Sequence, residues 1–232
     1  MKKNTEIELK MLISQENLDR LFALEQMQKV VRAGSKDVKR LRTSYFDTKE
    51  MTLQSYGIAY RVRDKGDGTF EATVKTSKKK TAGLSERLEL NIPLQENKAI
   101  LTGFKAMGLD YELLDLVPQG VDCLFTVDVE RTTYLLDIPN AVVEVAIDKG
   151  NVIAGDKLAP IDEIEFELKD GEASALINFT AELAEQVPLL MENRSKYARG
   201  LLLCNLPGSI PADVNTVEDA KTALAKLKEQ YL

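Results

Sequence analysis

The sequence predicts an α+β domain built on an antiparallel β-barrel or strongly curved sheet, with helices packed outside. Three observations predict this class. Many segments alternate charged and apolar residues with a period of two, among them Glu6-Ile7-Glu8-Leu9-Lys10 and Glu163-Ile164-Glu165-Phe166-Glu167-Leu168. Hairpin signals such as Lys65-Gly66-Asp67-Gly68 join neighbouring strands, because two adjacent Gly-containing dipeptides supply positive φ cheaply. Segments of helical periodicity cluster between and after the strands, as in α+β domains.

The first strand sends Glu6, Glu8 and Lys10 to one face and Ile7 and Leu9 to the other, with the charged groups spaced at roughly 6.6 Å. Ser14 is an N-cap for a helix from about Gln15 to Val30, striped by Leu18, Leu21, Phe22 and Leu24. After the Ala33-Gly34-Ser35 break, Lys36 to Phe46 reads as a strand and Asp47 to Tyr56 as a turn or short helix. Ile58 to Asp64 and Thr69 to Thr76 form a hairpin, Ser77 to Gly83 a lysine-rich loop, and Ser85 to Pro93 a strand ended by proline. Residues 97 to 117 read as helical, interrupted at Gly108. Strands resume at Leu124 to Leu136 and Ala141 to Asp148, with a Lys149-Gly150 turn, then Val152 to Ala154 and Ile161 to Leu168. Helices follow at Glu172 to Val187, stopped by Pro188, and at Ser195 to Leu203. A Pro207 to Pro211 linker leads to an amphipathic helix over Val217 to Tyr231.

Composition narrows the function. At 232 residues, 44% apolar and 29% charged, the chain has the profile of a globular protein with a substantial core. A net charge of −6 argues against a general nucleic-acid or anionic-membrane binder while leaving room for a local basic cluster. No apolar signal core or bilayer-length apolar run is present, and the two cysteines, Cys123 and Cys204, have no metal-like spacing. A reducing, cytoplasmic location is therefore expected. Histidine is absent, which excludes Ser-His-Asp and Cys-His nucleophile systems, His-bound zinc and histidine base catalysis.

The charges fall in phase. Glu6, Glu8 and Lys10 share a face, as do Arg61 with Arg63, Glu71 with Thr73 and Lys75, Arg87 with Glu89 and Asn91, Glu144 with Ala146 and Asp148, and Glu163 with Glu165 and Glu167. The opposite phase is apolar, as in Val143, Val145 and Ile147. One such strand alone describes a solvated edge. Solvated faces, however, mix small polar residues with charges, whereas these are dense in Arg and Glu at i, i+2. The helices also need the apolar face, which leaves the charged face lining the inside of a closed barrel. Glu6 and Glu8 facing Glu165 and Glu167, with Arg61, Arg63, Lys75 and Arg87 nearby, suit a polyphosphate bridged by Mg²⁺ or Mn²⁺. Such a site promotes phosphoryl transfer by positioning and charge stabilisation, without a protein nucleophile. Lys196 and Arg199 stand at i, i+3 and can point together from their helix. No Gly-x-x-x-x-Gly-Lys-Ser/Thr loop occurs.

Glu6-Ile7-Glu8-Leu9-Lys10 resembles the ExExK signature of the CYTH domain, or triphosphate tunnel metalloenzyme, superfamily. It is followed in order by Tyr60-Arg61-Val62-Arg63, Glu71 to Lys75, Glu86-Arg87-Leu88-Glu89, Arg131, Glu144 to Asp148, Glu163 to Leu168 and Ser195 to Gly200. The pattern looks nearest to the bacterial inorganic triphosphatase branch. The resemblance implies an eight-stranded antiparallel tunnel hydrolysing tripolyphosphate to pyrophosphate and phosphate. It implies Glu6, Glu8, Glu163, Glu165, Glu167 and Asp148 as metal ligands, and Lys10, Arg61, Arg63, Lys75, Arg87, Arg131, Lys196 and Arg199 as phosphate-binding residues. Water would be the nucleophile, with Glu8, Glu165 and Lys10 at the reacting centre and Lys10 or Tyr45 open as the base. The other activities in view are a class IV adenylate cyclase, a thiamine or nucleoside triphosphatase, and a non-catalytic polyphosphate-binding module. The expected partner is thus a small triphosphate, with neither nucleic acid nor membrane. The tunnel domain is expected over residues 1–205. Residues 206–232 form a linker and helix resembling the lead-in to a helical CHAD domain.

Overall fold

The computed structural model describes residues 5–81, 84–211 and 216–231, and side chains within 7–76, 88–211 and 216–231. Eight long strands form the frame: β1 (Thr5–Leu12), β2 (Asp37–Asp47), β3 (Ile58–Asp64), β4 (Phe70–Thr81), β5 (Leu84–Leu94), β6 (Asp122–Ile138), β7 (Ala141–Ala154) and β8 (Lys157–Gly171). Neighbours run in the order β5-β4-β3-β2-β6-β7-β8-β1, and every pairing is antiparallel. β1 pairs with β8 through Glu8↔Glu167 and Lys10↔Glu165, and with β5 through Glu6↔Arg87 and Glu8↔Ser85. Both edges of the sheet therefore meet on β1, and closure removes the exposed edges that an open sheet would leave. A two-residue strand, β9 (Leu190–Met191), adds to the far end of β1.

The helices are α1 (Gln15–Ala23), α2 (Glu25–Val30), α3 (Thr52–Ser55), α4 (Phe104–Met107), α5 (Leu113–Leu116), α6 (Ala173–Gln186), α7 (Lys196–Leu203) and α8 (Val217–Tyr231). Apolar side chains of β1, β7 and β8, including Leu9, Met11, Val145, Ile164 and Phe166, pack beneath α1, α2, α6 and α8 in one outer core. A second outer core joins Tyr60, Val62, Ala72, Val74 and Leu90 to Leu53, Phe104 and Leu113 of α3, α4 and α5. Within α8, Ala220, Leu224 and Leu227 are buried in the first core, and Lys221 pairs with Glu185 of α6 at 2.8 Å. The third core lies in the phase of β2 and β6 that faces inward. Leu41, Tyr45, Phe125, Val127 and Val129 meet Leu201 of α7 there and fill one end of the barrel. Gly200 permits this approach, since a methyl group at that position would overlap the Phe125 ring.

Four local expectations change. The helix expected over 15–30 breaks at Leu24, whose φ of −61° and ψ of 133° are extended. On a straight helix Leu21 and Met27 would point about 120° apart; the break lets both bury fully in the same core. The helix expected over 97–117 reduces to the single turns α4 and α5. Gly103 and Gly108 have φ of 98° and 113°, which α-helix excludes, and the Tyr60 hydroxyl holds the preceding chain by bonding both Ile100 O at 2.6 Å and Ile100 N at 2.7 Å. The Lys149-Gly150 turn is instead continuous strand, and the reversal falls at Gly155-Asp156. Gly150 marks a close crossing, because an added Cβ would strike the Asp128–Val129 backbone of β6. The lysine-rich segment after Thr76 continues β4 to Thr81; its side chains lie outside the described residues.

Candidate functional site

The inward phase of the strands encloses a cavity of about 480 Å³. Its lining sorts into three parts by charge. One wall is basic: Arg61 and Arg63 from β3 and Lys75 from β4. Glu89 answers them from β5, 2.6 Å from Lys75 Nζ and 3.6 Å from Arg61 Nη2. Asn91 donates to Glu89 Oε1 at 3.0 Å and Thr73 donates to Asn91 Oδ1 at 2.7 Å, so the carboxylate is held from behind. Arg63 Nε donates to Thr43 Oγ1 at 3.1 Å. Burial, with the neighbouring cations Arg61 and Arg131, pulls the Arg63 guanidinium down to about 10. A cation-dense wall of this kind favours an anion in front of it.

The floor is a buried ion network. Oxygens of Asp148, Glu163 and Glu165 lie within 4.8 Å of one another. The Lys196 ammonium stands among them, 2.6 Å from Asp148 Oδ2 and 2.9 Å from Glu165 Oε1, and in contact with Glu163 Oε1. Arg131 grips both Asp148 oxygens at 2.7 and 2.5 Å and reaches Glu165 Oε2 at 2.7 Å. Arg199 Nη1 donates to Glu163 Oε2 at 2.9 Å and its other nitrogen to Pro160 O. Lys10 Nζ completes the ring, 3.7 Å from Glu165 Oε1 and 3.2 Å from Arg194 O. Burial alone would raise the Asp148 and Glu165 carboxyls, yet Lys196 and Arg131 bring Asp148 down to about 2, and with Lys10 they hold Glu165 well below the carboxylate range. Conversely, burial works against the Lys196 charge, and Asp148, Glu163 and Glu165 overcome it and raise the ammonium above its ordinary value. Ser195 caps α7, its hydroxyl accepting from Ala198 N at 3.1 Å, and the i, i+3 spacing puts Lys196 and Arg199 on one face of that helix, where both meet Glu163.

The mouth is acidic. Glu8, Glu167 and Glu144 are successive cross-strand neighbours on β1, β8 and β7. Lys169 Nζ lies 3.0 Å from Glu167 Oε1 and 3.7 Å from Glu144 Oε1. Burial raises the Glu167 carboxyl; Lys169 counters this, while Glu144 and Glu8 add to it, and the net displacement is upward. Deeper in the cavity, burial pushes the Tyr45 phenol up, but Arg61, Arg63 and Lys196 together leave it below its ordinary value. Tyr45 stacks on Phe125 at 5.0 Å and packs at 5.5 Å from Tyr197, whose buried hydroxyl has no hydrogen-bond partner among the described residues.

The structure therefore brings Glu8, Lys10, Arg61, Arg63, Lys75, Arg131, Glu165, Glu167 and Lys196 to one cavity. Asp148, Glu163 and Arg199 form the buried side of the floor network and do not line the cavity; their charges are taken up by one another and by Lys196 and Arg131. Glu6 and Arg87 face each other in the β1–β5 register; their side chains lie outside the described residues. Glu89, Asn91, Glu144, Lys169 and Tyr197 also belong to the lining. For Glu89 and Lys169 the signal was the same alternation, since each stands two residues beyond an expected site residue, Arg87 and Glu167.

A closed antiparallel tunnel with a charged lumen and helices outside defines the class. The sequence profile of the CYTH domain matches residues 4–201, and the chain belongs to that family. It is 35% identical over 163 residues to an inorganic triphosphatase of Haemophilus influenzae; the match covers 70% of this chain and 46% of the relative, so the chain spans about half of that protein's length. Among solved structures, a candidate adenylyl cyclase from Hippeastrum with a dominant triphosphatase activity superposes with a TM-score of 0.58 at 17% identity, over 89% of this chain and 97% of that one. A candidate adenylate cyclase from Bacillus halodurans gives a TM-score of 0.53 at 24% identity, over 86% and 98%. Both share the fold.

Proposed function

We propose that this chain hydrolyses inorganic triphosphate to pyrophosphate and phosphate in its tunnel, with Mg²⁺ or Mn²⁺ as cofactor. The observation that carries the reading is the convergence of Lys10, Arg61, Arg63, Lys75, Arg131 and Lys196 on one enclosed cavity. Its basic wall is so crowded that burial and like charge depress the Arg63 guanidinium to about 10. A linear polyanion relieves that crowding along its length, and the 35% identity to an inorganic triphosphatase supports the same substrate class.

The residues present fit a hard divalent cation at the mouth and not on the floor. Asp148, Glu163 and Glu165 are already neutralised by Lys196, Arg131, Arg199 and Lys10. Glu8, Glu167 and Glu144 face the cavity, Glu8 buried in its wall and the other two partly exposed with Lys169 beside them, and carboxylate oxygens open to a cavity are what Mg²⁺ or Mn²⁺ takes alongside waters and phosphates. Glu8 and Glu167 would hold the cation. Once bound, the cation would supply charge neutralisation at the phosphoryl oxygens and polarise water.

This chain's own part is positioning. Arg61, Arg63 and Lys75 grip the phosphoryl oxygens from one wall, and Lys10, Arg131 and Lys196 from the floor. Glu165 sets the three floor cations, because each lies within ion-pair distance of its oxygens. Water attacks the terminal phosphorus, the bond from that phosphorus to the bridging oxygen breaks, and pyrophosphate departs while the attacking water gives up a proton to the site. Phosphate release from tripolyphosphate with Mg²⁺ or Mn²⁺ tests the reading, with ATP and thiamine triphosphate alongside. Turnover above that of a Glu8→Gln/Glu165→Gln double variant is expected; equal rates would overturn it.

A further inference from the structure

The mouth carries a lysine of its own that the phosphate-binding role does not need. Lys169 extends the i, i+2 row Glu163, Glu165, Glu167 by one step. Its ammonium lies 3.0 Å from Glu167 and 3.7 Å from Glu144. The floor lysine differs in setting: the Lys196 side chain is 9% exposed and enclosed by three carboxylates, whereas the Lys169 side chain is 40% exposed. A half-exposed lysine stem has room to swing its charge into water at small cost.

We propose that Lys169 is a displaceable counter-ion of the acidic mouth, competing with the divalent cation for Glu167 and Glu144 and so setting the cation concentration at which the tunnel fills. The inference rests on the reading that Glu8 and Glu167 hold that cation. An ammonium and a divalent ion repel one another across a few ångströms, so loading the mouth requires Lys169 to withdraw. The work of withdrawal subtracts from cation affinity. In return, Glu167 and Glu144 stay paired while no cation is present.

The test is Mn²⁺ binding followed by electron paramagnetic resonance, on the whole chain without any phosphate, for the wild type, Lys169→Met, Lys169→Arg and Glu167→Gln. Lys169→Met is expected to bind Mn²⁺ about fivefold more tightly at low salt, the scale of one exposed ion pair. The gain should shrink as sodium chloride approaches ~1 M, and Lys169→Arg, which keeps the charge, should match the wild type. Thermal unfolding of each variant verifies that it is folded. Unchanged or weaker binding in Lys169→Met, or equal tightening in Lys169→Arg, overturns the proposal alone provided that Glu167→Gln has lost binding. Retained wild-type affinity in Glu167→Gln, or no Mn²⁺ binding by any form, removes the cation site itself and the proposal with it.

Discussion

The floor and the mouth of this tunnel hold carboxylates in opposite electrostatic situations. On the floor, Asp148, Glu163 and Glu165 are met by Lys196, Arg131, Arg199 and Lys10, and the net effect on Asp148 and Glu165 is downward. At the mouth, Glu167 is displaced upward by burial and by the like charges of Glu144 and Glu8, against Lys169. The same residue type on the same strand, two positions apart, is thus a fixed structural anion at Glu165 and an under-compensated one at Glu167. Neutralised carboxylates lock a fold; under-compensated ones bind cations. The three-residue acidic row of β8 crosses the boundary between these two jobs.

The largest expected effect comes from breaking the floor. Lys196→Met leaves buried carboxylates short of their shared cation, and removing one partner of such a network costs about 3–5 kcal/mol. Urea unfolding measures this. The matching change at the mouth, Glu167→Gln, is expected to alter stability by no more than about 0.5 kcal/mol. It should nevertheless lower triphosphate hydrolysis by about 10²-fold or more, on the scale of other lost electrostatic contacts to a reacting group. If the two variants cost equal stability, the contrast fails.

Acid sharpens the same comparison. Asp148 falls from 3.8 to about 2 in the folded chain, so its contribution is complete above the unfolded value and is lost as pH falls through the folded one. About 2 kcal/mol should therefore disappear between pH ~4 and pH ~2. Glu167 has the opposite sign: its ionisation disfavours the fold, and protonation removes that penalty as pH falls. Urea unfolding from pH 7 to pH 2 should accordingly show Glu167→Gln losing more stability on acidification than the wild type. A smaller effect than that of the floor is expected at the apolar end. Tyr197→Phe removes a buried hydroxyl without a partner among the described residues and should raise stability by up to about 1 kcal/mol.

Much of the fold was readable in advance because side chains alternate across a strand. Once Glu6-Ile7-Glu8 and Glu163-Ile164-Glu165 were strands, period two fixed which atoms shared a face, and the apolar partners Leu9, Ile164 and Phe166 pack outside with the helices. What failed locally failed for tertiary reasons. Gly150 resembled a turn but serves a close crossing over β6, and Leu24 lies mid-stripe but breaks a helix so that Leu21 and Met27 share one core. Such features depend on neighbours far away in the chain, which periodicity does not contain.

The sequence by itself determined the chemistry available: no histidine, a dense set of Arg, Lys and Glu in one strand phase, and apolar residues in the other. It also carried the ordered motif set that marks the CYTH domain over residues 4–201. Only the tertiary structure decided which carboxylate meets which cation. Glu163, Glu165 and Glu167 are equivalent along their strand. They part company because α7 brings Lys196 and Arg199 against the first two, whereas Glu167 faces Glu8 and Glu144 across the barrel register. Charge is written locally, but its compensation depends on distance, and distance is set by how the barrel closes.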